Sequence, residues 1–156
     1  MFRAQDTDAL VAALLDSCCE QVLETMFFSP VLDHAAPEES NGKDRIHTQL
    51  RFHGKPSGAF EVDADFPVAR SMAACFLGLD ESEVSPAQIE DVLAEFSNMT
   101  CGSALSSLGR VEYFHLDTPS TTRSSGFTPA IEGVRRGFQM EAGTLGVCLR
   151  VDFEQE

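Results

Sequence analysis

Basic residues are scarce in this sequence. Lys and Arg number 11 against 25 Asp and Glu over 156 residues, a formal net charge of −14. Nucleic acids and anionic membranes are bound chiefly by neutralising phosphate with Lys and Arg, so this balance argues against both. It fits a partner with a positive surface. Long apolar runs are missing too, since none approaches the roughly 18 residues that read as a membrane-spanning helix. The opening MFRAQDTDAL lacks the basic-then-apolar order of a secretory signal. A soluble, cytoplasmic protein is the expectation. The cysteines at 18, 19, 75, 101 and 148 form no CxxC pair, and the histidines form no HExxH or Cys-His spacing. That excludes the common zinc patterns and implies reduced thiols, mostly buried. There is no Gly-rich phosphate loop and no evident nucleophile–base pair, which disfavours a small-molecule enzyme.

What remains is the pattern of a folded globule, with 43% hydrophobic and 23% charged residues. A chain of this length reads as a single domain, 1–156. Val11, Leu15, Cys18, Val22 and Met26 recur at helical spacing and predict a helix over 8–28, with Asp16, Glu20 and Glu24 on its wet side. Residues 29–43, with two prolines and an Asn-Gly pair, predict a loop. The period then becomes 2. Ile46, Thr48, Leu50 and Phe52 alternate with polar partners, KPSG makes a turn, and Phe60, Val62 and Ala64 continue the inward set. The expected product is a β-hairpin with one acidic face and with His47 and His53 on its solvent side.

A second helix is predicted from Pro67 to Gly78. Ser85, Pro86 and Gln88 form a capping box with proline at the first helical position, so a third helix should run from there to about residue 108, where Gly109 stops it. RVEYFHL reads as a strand, 117–133 as a polar connection holding an edge strand, and the C-terminal stretch as a hairpin around Gly143. The fold class is α+β: three helices against an antiparallel sheet.

The third helix carries DVLAEFSNMTCG, with two poor helix formers in its interior. Advancing about 100° per residue from Asp91 places Glu95, Asn98 and Gly102 at about 40°, 340° and 20°. On the same count Ile89, Val92, Phe96, Met99 and Ser103 cluster at about 80–160°. Asp91, Glu95, Asn98 and Gly102 should therefore face outward, with Leu105 at about 320° adding an apolar contact beside them. Exposed carboxylates alone describe a solvated face. An asparagine and a glycine in the same stripe give up helix stability, and the glycine lets another surface come close. The stripe has the composition of a docking surface.

DVLAEFSNMTCGSALSSL resembles the signature of the CheC/CheX/FliY chemotaxis phosphatases: Asp or Ser, three residues, Glu, two residues, Asn, then glycine four residues on. Asp91, Glu95, Asn98 and Gly102 fill every slot. LETMFF, FHGKPSGAFEVD and ARSMAACFLG are similar in order and spacing to a CheX-like domain. CheC-type members carry two copies of the motif and CheX-type members one. Here Asp16 and Glu20 are followed by Leu23 where asparagine would stand, which leaves one competent site. The family's proline about two dozen residues after the asparagine has no exact counterpart, as Pro119 and Pro129 bracket the place.

The resemblance implies hydrolysis of the aspartyl phosphate of a response-regulator receiver. Asn98 would orient the attacking water and Glu95 would pair with the regulator's Lys, making these two the catalytic pair. Asp91, Gly102 and Leu105 would support docking. Mg²⁺ would come from the regulator, with no cofactor or metal held by this chain, and a homodimer is implied. A non-catalytic binding or scaffold module of the same fold would carry the same docking surface.

Overall fold

The alternating stretch forms β2 (Asn41–Lys55) and β3 (Ser57–Asp65), joined at Pro56. Ile46, Leu50, Phe52, Phe60, Val62 and Ala64 are all buried, as their period requires. These strands sit inside a seven-stranded, fully antiparallel sheet of the computed structural model, which describes residues 4–35, 41–109, 111–126 and 131–153. Two short strands share the outer side of β2: β4 (Tyr113–Leu116) and β5 (Ser120–Gly126). On the other side, β6 (Val134–Met140) and β7 (Gly143–Asp152) make the predicted C-terminal hairpin. The strand order is β1-β6-β7-β3-β2-β4, with β5 also on β2.

Three α-helices cover one face. Helix α1 spans Ala4–Met26, α2 Phe66–Leu77 and α3 Pro86–Ser107. Leu15, Leu23 and Phe27 from α1 and its end, Met72 and Ala73 from α2, and Ile89, Leu93 and Phe96 from α3 join the sheet's inward residues in one core. Helix α2 has proline near its start and ends at Gly78 with a φ of 68°, the left-handed stop its sequence announced.

Two local expectations are corrected. The segment predicted as a loop contains β1 (Asp33–Ala35), which pairs with β6 as the edge of the sheet, and β2 already begins at Asn41. A three-residue strand has no readable period, and a register shift between Asn41 and Arg45 accommodates the Asn-Gly pair inside a strand. Residues 36–40 lie outside those described.

The second correction concerns the acidic face of the hairpin, which is not solvated. Glu61, Asp63 and Asp65 are 1%, 8% and 9% exposed. Arg45, itself buried, pairs with Asp63 and with Asp65 at 2.7 Å. Glu61 lies 3.3 Å from the ring of His47 and 3.4 Å from Arg135. His47 is therefore largely covered, whereas His53 faces solvent as expected. The neighbouring strand makes room: a Cβ on Gly146 would approach an Asp63 oxygen to 2.7 Å. Ile131, in the chain entering β6, packs on Ala59 and Cys148 of this same face. Alternation identified which residues share a face; the helices cover one side, and the side chains of Arg45, His47, Arg135 and Ile131 cover the other.

Burial pushes the Asp63 carboxyl above its ordinary range, while the charge and hydrogen bond of Arg45 oppose the shift. A carboxyl with a raised folded pKa favours the fold when protonated, and that contribution is lost as pH rises through the folded pKa. Replacing Arg45 by methionine leaves Asp63 and Asp65 buried without their shared cation. Arg45→Met should cost about 3–5 kcal/mol at about pH 7, with the loss shrinking toward about pH 4 as Asp63 takes up a proton. Urea unfolding of both proteins at the two pH values measures this.

Candidate functional site

The capping box assembles as predicted. The Ser85 hydroxyl accepts the Gln88 backbone N–H at 3.1 Å, the Gln88 side-chain oxygen accepts the Ser85 N–H at 2.9 Å, and Pro86 opens the helix. The start of α3 is thereby fixed. Ile89, Val92, Leu93 and Phe96 are buried. On the opposite side Asp91 and Glu95 are exposed, and Asn98 and Gly102 are half-buried with an open outer side. The four positions span roughly 16 Å along the axis at 1.5 Å per residue. Glu95 and Asn98, three apart, have Cβ atoms roughly 5–6 Å from each other.

Among the described residues, none forms a hydrogen bond or ion pair with the side chains of Asp91, Glu95 or Asn98. Their polar atoms remain available to a partner. No Lys, Arg or His lies between Asp80 and Gly109, so the negative charge of this helix has no cation along its own segment. A Cβ built on Gly102 meets nothing within 4 Å. The fold itself makes no demand for glycine there, and the missing side chain leaves a step beside Asn98.

Leu105 departs from its expected place. It is 0% exposed and belongs to the core, so it contributes nothing to the outward surface. The buried side of α3 drifts as the helix proceeds. In the first half it is Ile89, Val92, Leu93 and Phe96; further on it includes Ser97, Cys101, Ala104 and Leu105, on average roughly 100° around the axis. A helix that crosses its neighbours at an angle shows them different sides along its length, which a fixed-sector projection cannot capture. Met99 and Ser103, projected inward, are accordingly only half-buried.

The motif-like pattern on α1 is occupied by the fold. Asp16 receives two hydrogen bonds from Arg136, at 2.7 and 2.8 Å, and Glu20 lies 3.3 Å from His34 of β1. Leu23 is fully buried. Asp16 and Glu20 thus attach α1 to the β1–β6 edge, their carboxylates engaged within the fold. Pro119 falls between β4 and β5, and Pro129 lies outside the described residues. Four cysteines are buried and Cys75 is exposed. Burial raises the Cys101 thiol to about 12 and the Cys148 thiol to about 11, so both stay protonated and inert at neutral pH. The described residues contain no group of three His, Cys, Asp or Glu placed to hold a metal ion, and no helix long and apolar enough to cross a membrane.

An antiparallel sheet under three helices, with a carboxylate and a carboxamide one turn apart on the outer side of the longest capped helix, defines a small and recognisable class of domain. The family model for the chemotaxis phosphatase CheX matches residues 46–139, which include the whole stripe. The chain belongs to the CheX family. Solved structures agree in fold. CheX from Vibrio vulnificus is 18% identical with a TM-score of 0.74, over 91% of this chain and 96% of that one. CheX from Desulfovibrio desulfuricans is 19% identical with a TM-score of 0.70, over 91% and 99%. The CheX-CheY-BeF3-Mg²⁺ complex from Borrelia burgdorferi gives a 13% identical match with a TM-score of 0.69, over 91% and 97%. No curated protein matches the chain.

The open space at Gly102 leads to a direct test. Gly102→Ala should raise stability by about 1 kcal/mol, the helix-propensity difference, because the added methyl group meets nothing. A thermal melt of the variant against the parent reads the change.

Proposed function

We propose that this protein hydrolyses the aspartyl phosphate of a response-regulator receiver domain, with Asn98 and Glu95 as the catalytic pair. The observation that carries the proposal is the joint outward placement of these side chains, one turn apart and without a partner among the described residues. The chemistry follows from the residue types. A water oxygen attacks phosphorus in line, the bond from phosphorus to the aspartyl oxygen breaks, and inorganic phosphate and a free carboxylate result. Such a transfer depends mostly on positioning and electrostatics. A carboxamide donates and accepts hydrogen bonds at once without bringing charge, so Asn98 can orient the water beside an anionic phosphoryl group. Glu95 pairs with the receiver's Lys and fixes the register of docking. Asp91 adds attraction, and Gly102 lets the receiver's surface close on the helix.

Mg²⁺ belongs to the receiver in this reading, and this chain brings no cofactor of its own. Support for a receiver as partner comes from the Borrelia burgdorferi relative, solved as a complex with CheY. The proposal also places the protein in the cytoplasm as a homodimer joined through its sheets. The ends of the sheet at β1 and at β4 and β5 are consistent with that pairing.

The test is a panel of phosphorylated receivers from the same cell, scored for accelerated phosphate release. Asn98→Ala should abolish the acceleration while leaving the circular dichroism spectrum unchanged. Glu95→Ala should chiefly weaken association, by about 10-fold or more for a lost charge-assisted pair. A protein that binds phosphorylated receivers without accelerating release is a scaffold, and the catalytic assignment then falls.

A further inference from the structure

The α3 stripe is held from behind at two levels by α1, and the lower hold is aromatic. Phe27, the residue after α1, is fully buried. Its ring meets Phe96 edge-on at 5.5 Å and stacks on Phe76 of α2 at 4.9 Å. Phe96 lies between Glu95 and Asn98 in sequence and points to the opposite side of the helix. Two turns further on, Ser103, the neighbour of Gly102, donates to the sulfur of Cys18 at 3.4 Å. The chain backs this arrangement locally. Phe28 adopts a left-handed φ of 49°, and the Ser29 N–H returns to the Leu23 carbonyl at 2.9 Å, so the backbone turns away directly after Phe27. Phe28 itself is 69% exposed, which leaves Phe27 as the ring that does the packing.

We infer that Phe27 is a positioning residue for the reaction proposed above: its wedge between Phe96 and Phe76 sets the roll of α3 and hence the aim of Asn98. The inference rests on that reading of the site. Two holds at separate levels fix a rod against rolling, whereas one leaves it free to pivot. A roll of about 20° moves a side-chain tip roughly 6 Å from the axis by about 2 Å. In-line attack tolerates little of that, since a misplacement of about 1 Å can cost about 100-fold in rate. Aromatic rings suit the task because edge-to-face and stacked contacts have preferred geometries, which an aliphatic side chain lacks.

The experiment compares Phe27→Leu, Phe28→Gly and Asn98→Ala with the parent, using receiver domains phosphorylated with radiolabelled acetyl phosphate. Rates are taken well below the melting temperature of each variant, and binding to the beryllofluoride-activated receiver is measured in parallel. Phe27→Leu should lower kcat by about 10-fold while KM and binding stay within about 2-fold, because the docking groups remain and only their aim loosens. Phe28→Gly, which alters the adjacent exposed residue, should keep the parent's kcat. If Phe27→Leu turns over like the parent while Asn98→Ala is dead, the positioning role is wrong and the site stands. If Asn98→Ala is as active as the parent, or the parent accelerates nothing, the site reading fails and this inference with it. Should Phe27→Leu not fold, Phe76→Leu removes the stacked ring alone. A reduced kcat at unchanged KM in that variant supports the role, and parental kcat overturns it.

Discussion

A rigid helix has only one rotational setting at which Ile89, Val92, Leu93 and Phe96 are all covered by α1, α2 and the sheet. At that setting Asp91 and Glu95 stand in solvent, and Asn98 and Gly102 keep an open side. The apolar groups do not touch the chemistry, yet their burial decides where the polar groups point. Burying one such side chain is worth about 1.5–3 kcal/mol, so turning α3 the other way would cost several times what any single surface contact returns. The capping box adds a defined start to the helix, so that its first turn is formed when Ile89 packs.

Carboxylates differ widely in how this molecule answers them, and the contrast bears on the site. On the far face of the sheet, Glu61, Asp63 and Asp65 are buried and answered by Arg45, Arg135 and His47. Asp16 and Glu20 on α1 are likewise answered by Arg136 and His34. On α3, in a stretch with no basic residue of its own, Asp91 and Glu95 are exposed and have no partner among the described residues. Asp91 and Glu95 thus form a negative strip suited to a cationic partner, which agrees with the role given to Glu95.

Much of this architecture is legible in the residue pattern. The period-2 residues of β2 and β3, the Ser85-Pro86-Gln88 start and the outward Asp-Glu-Asn-Gly stripe depend on local periodicity and capping, which a sequence carries explicitly. The failures have a common cause in tertiary arrangement. Leu105 lay next to Asn98 in projection and is in the core, because the buried side of α3 drifts along the helix. The acidic face of the hairpin looked solvent-facing until β7 and the chain around Ile131 covered it. Strand β1 is too short to show a period, and its pairing with β6 joins residues far apart in sequence. The aromatic contact of Phe27 with Phe96 and Phe76 is of the same long-range kind.

The account stands on the outer side of α3 being the surface that meets a receiver. Backbone amide NMR of this protein, titrated with a beryllofluoride-activated receiver, reads that surface without relying on turnover. Shifts and broadening concentrated on 91–102, with the far face of the sheet around Arg45 and Asp63 silent, are the predicted result. Perturbations gathered on that far face, with Asp91, Glu95, Asn98 and Gly102 unmoved, would contradict it.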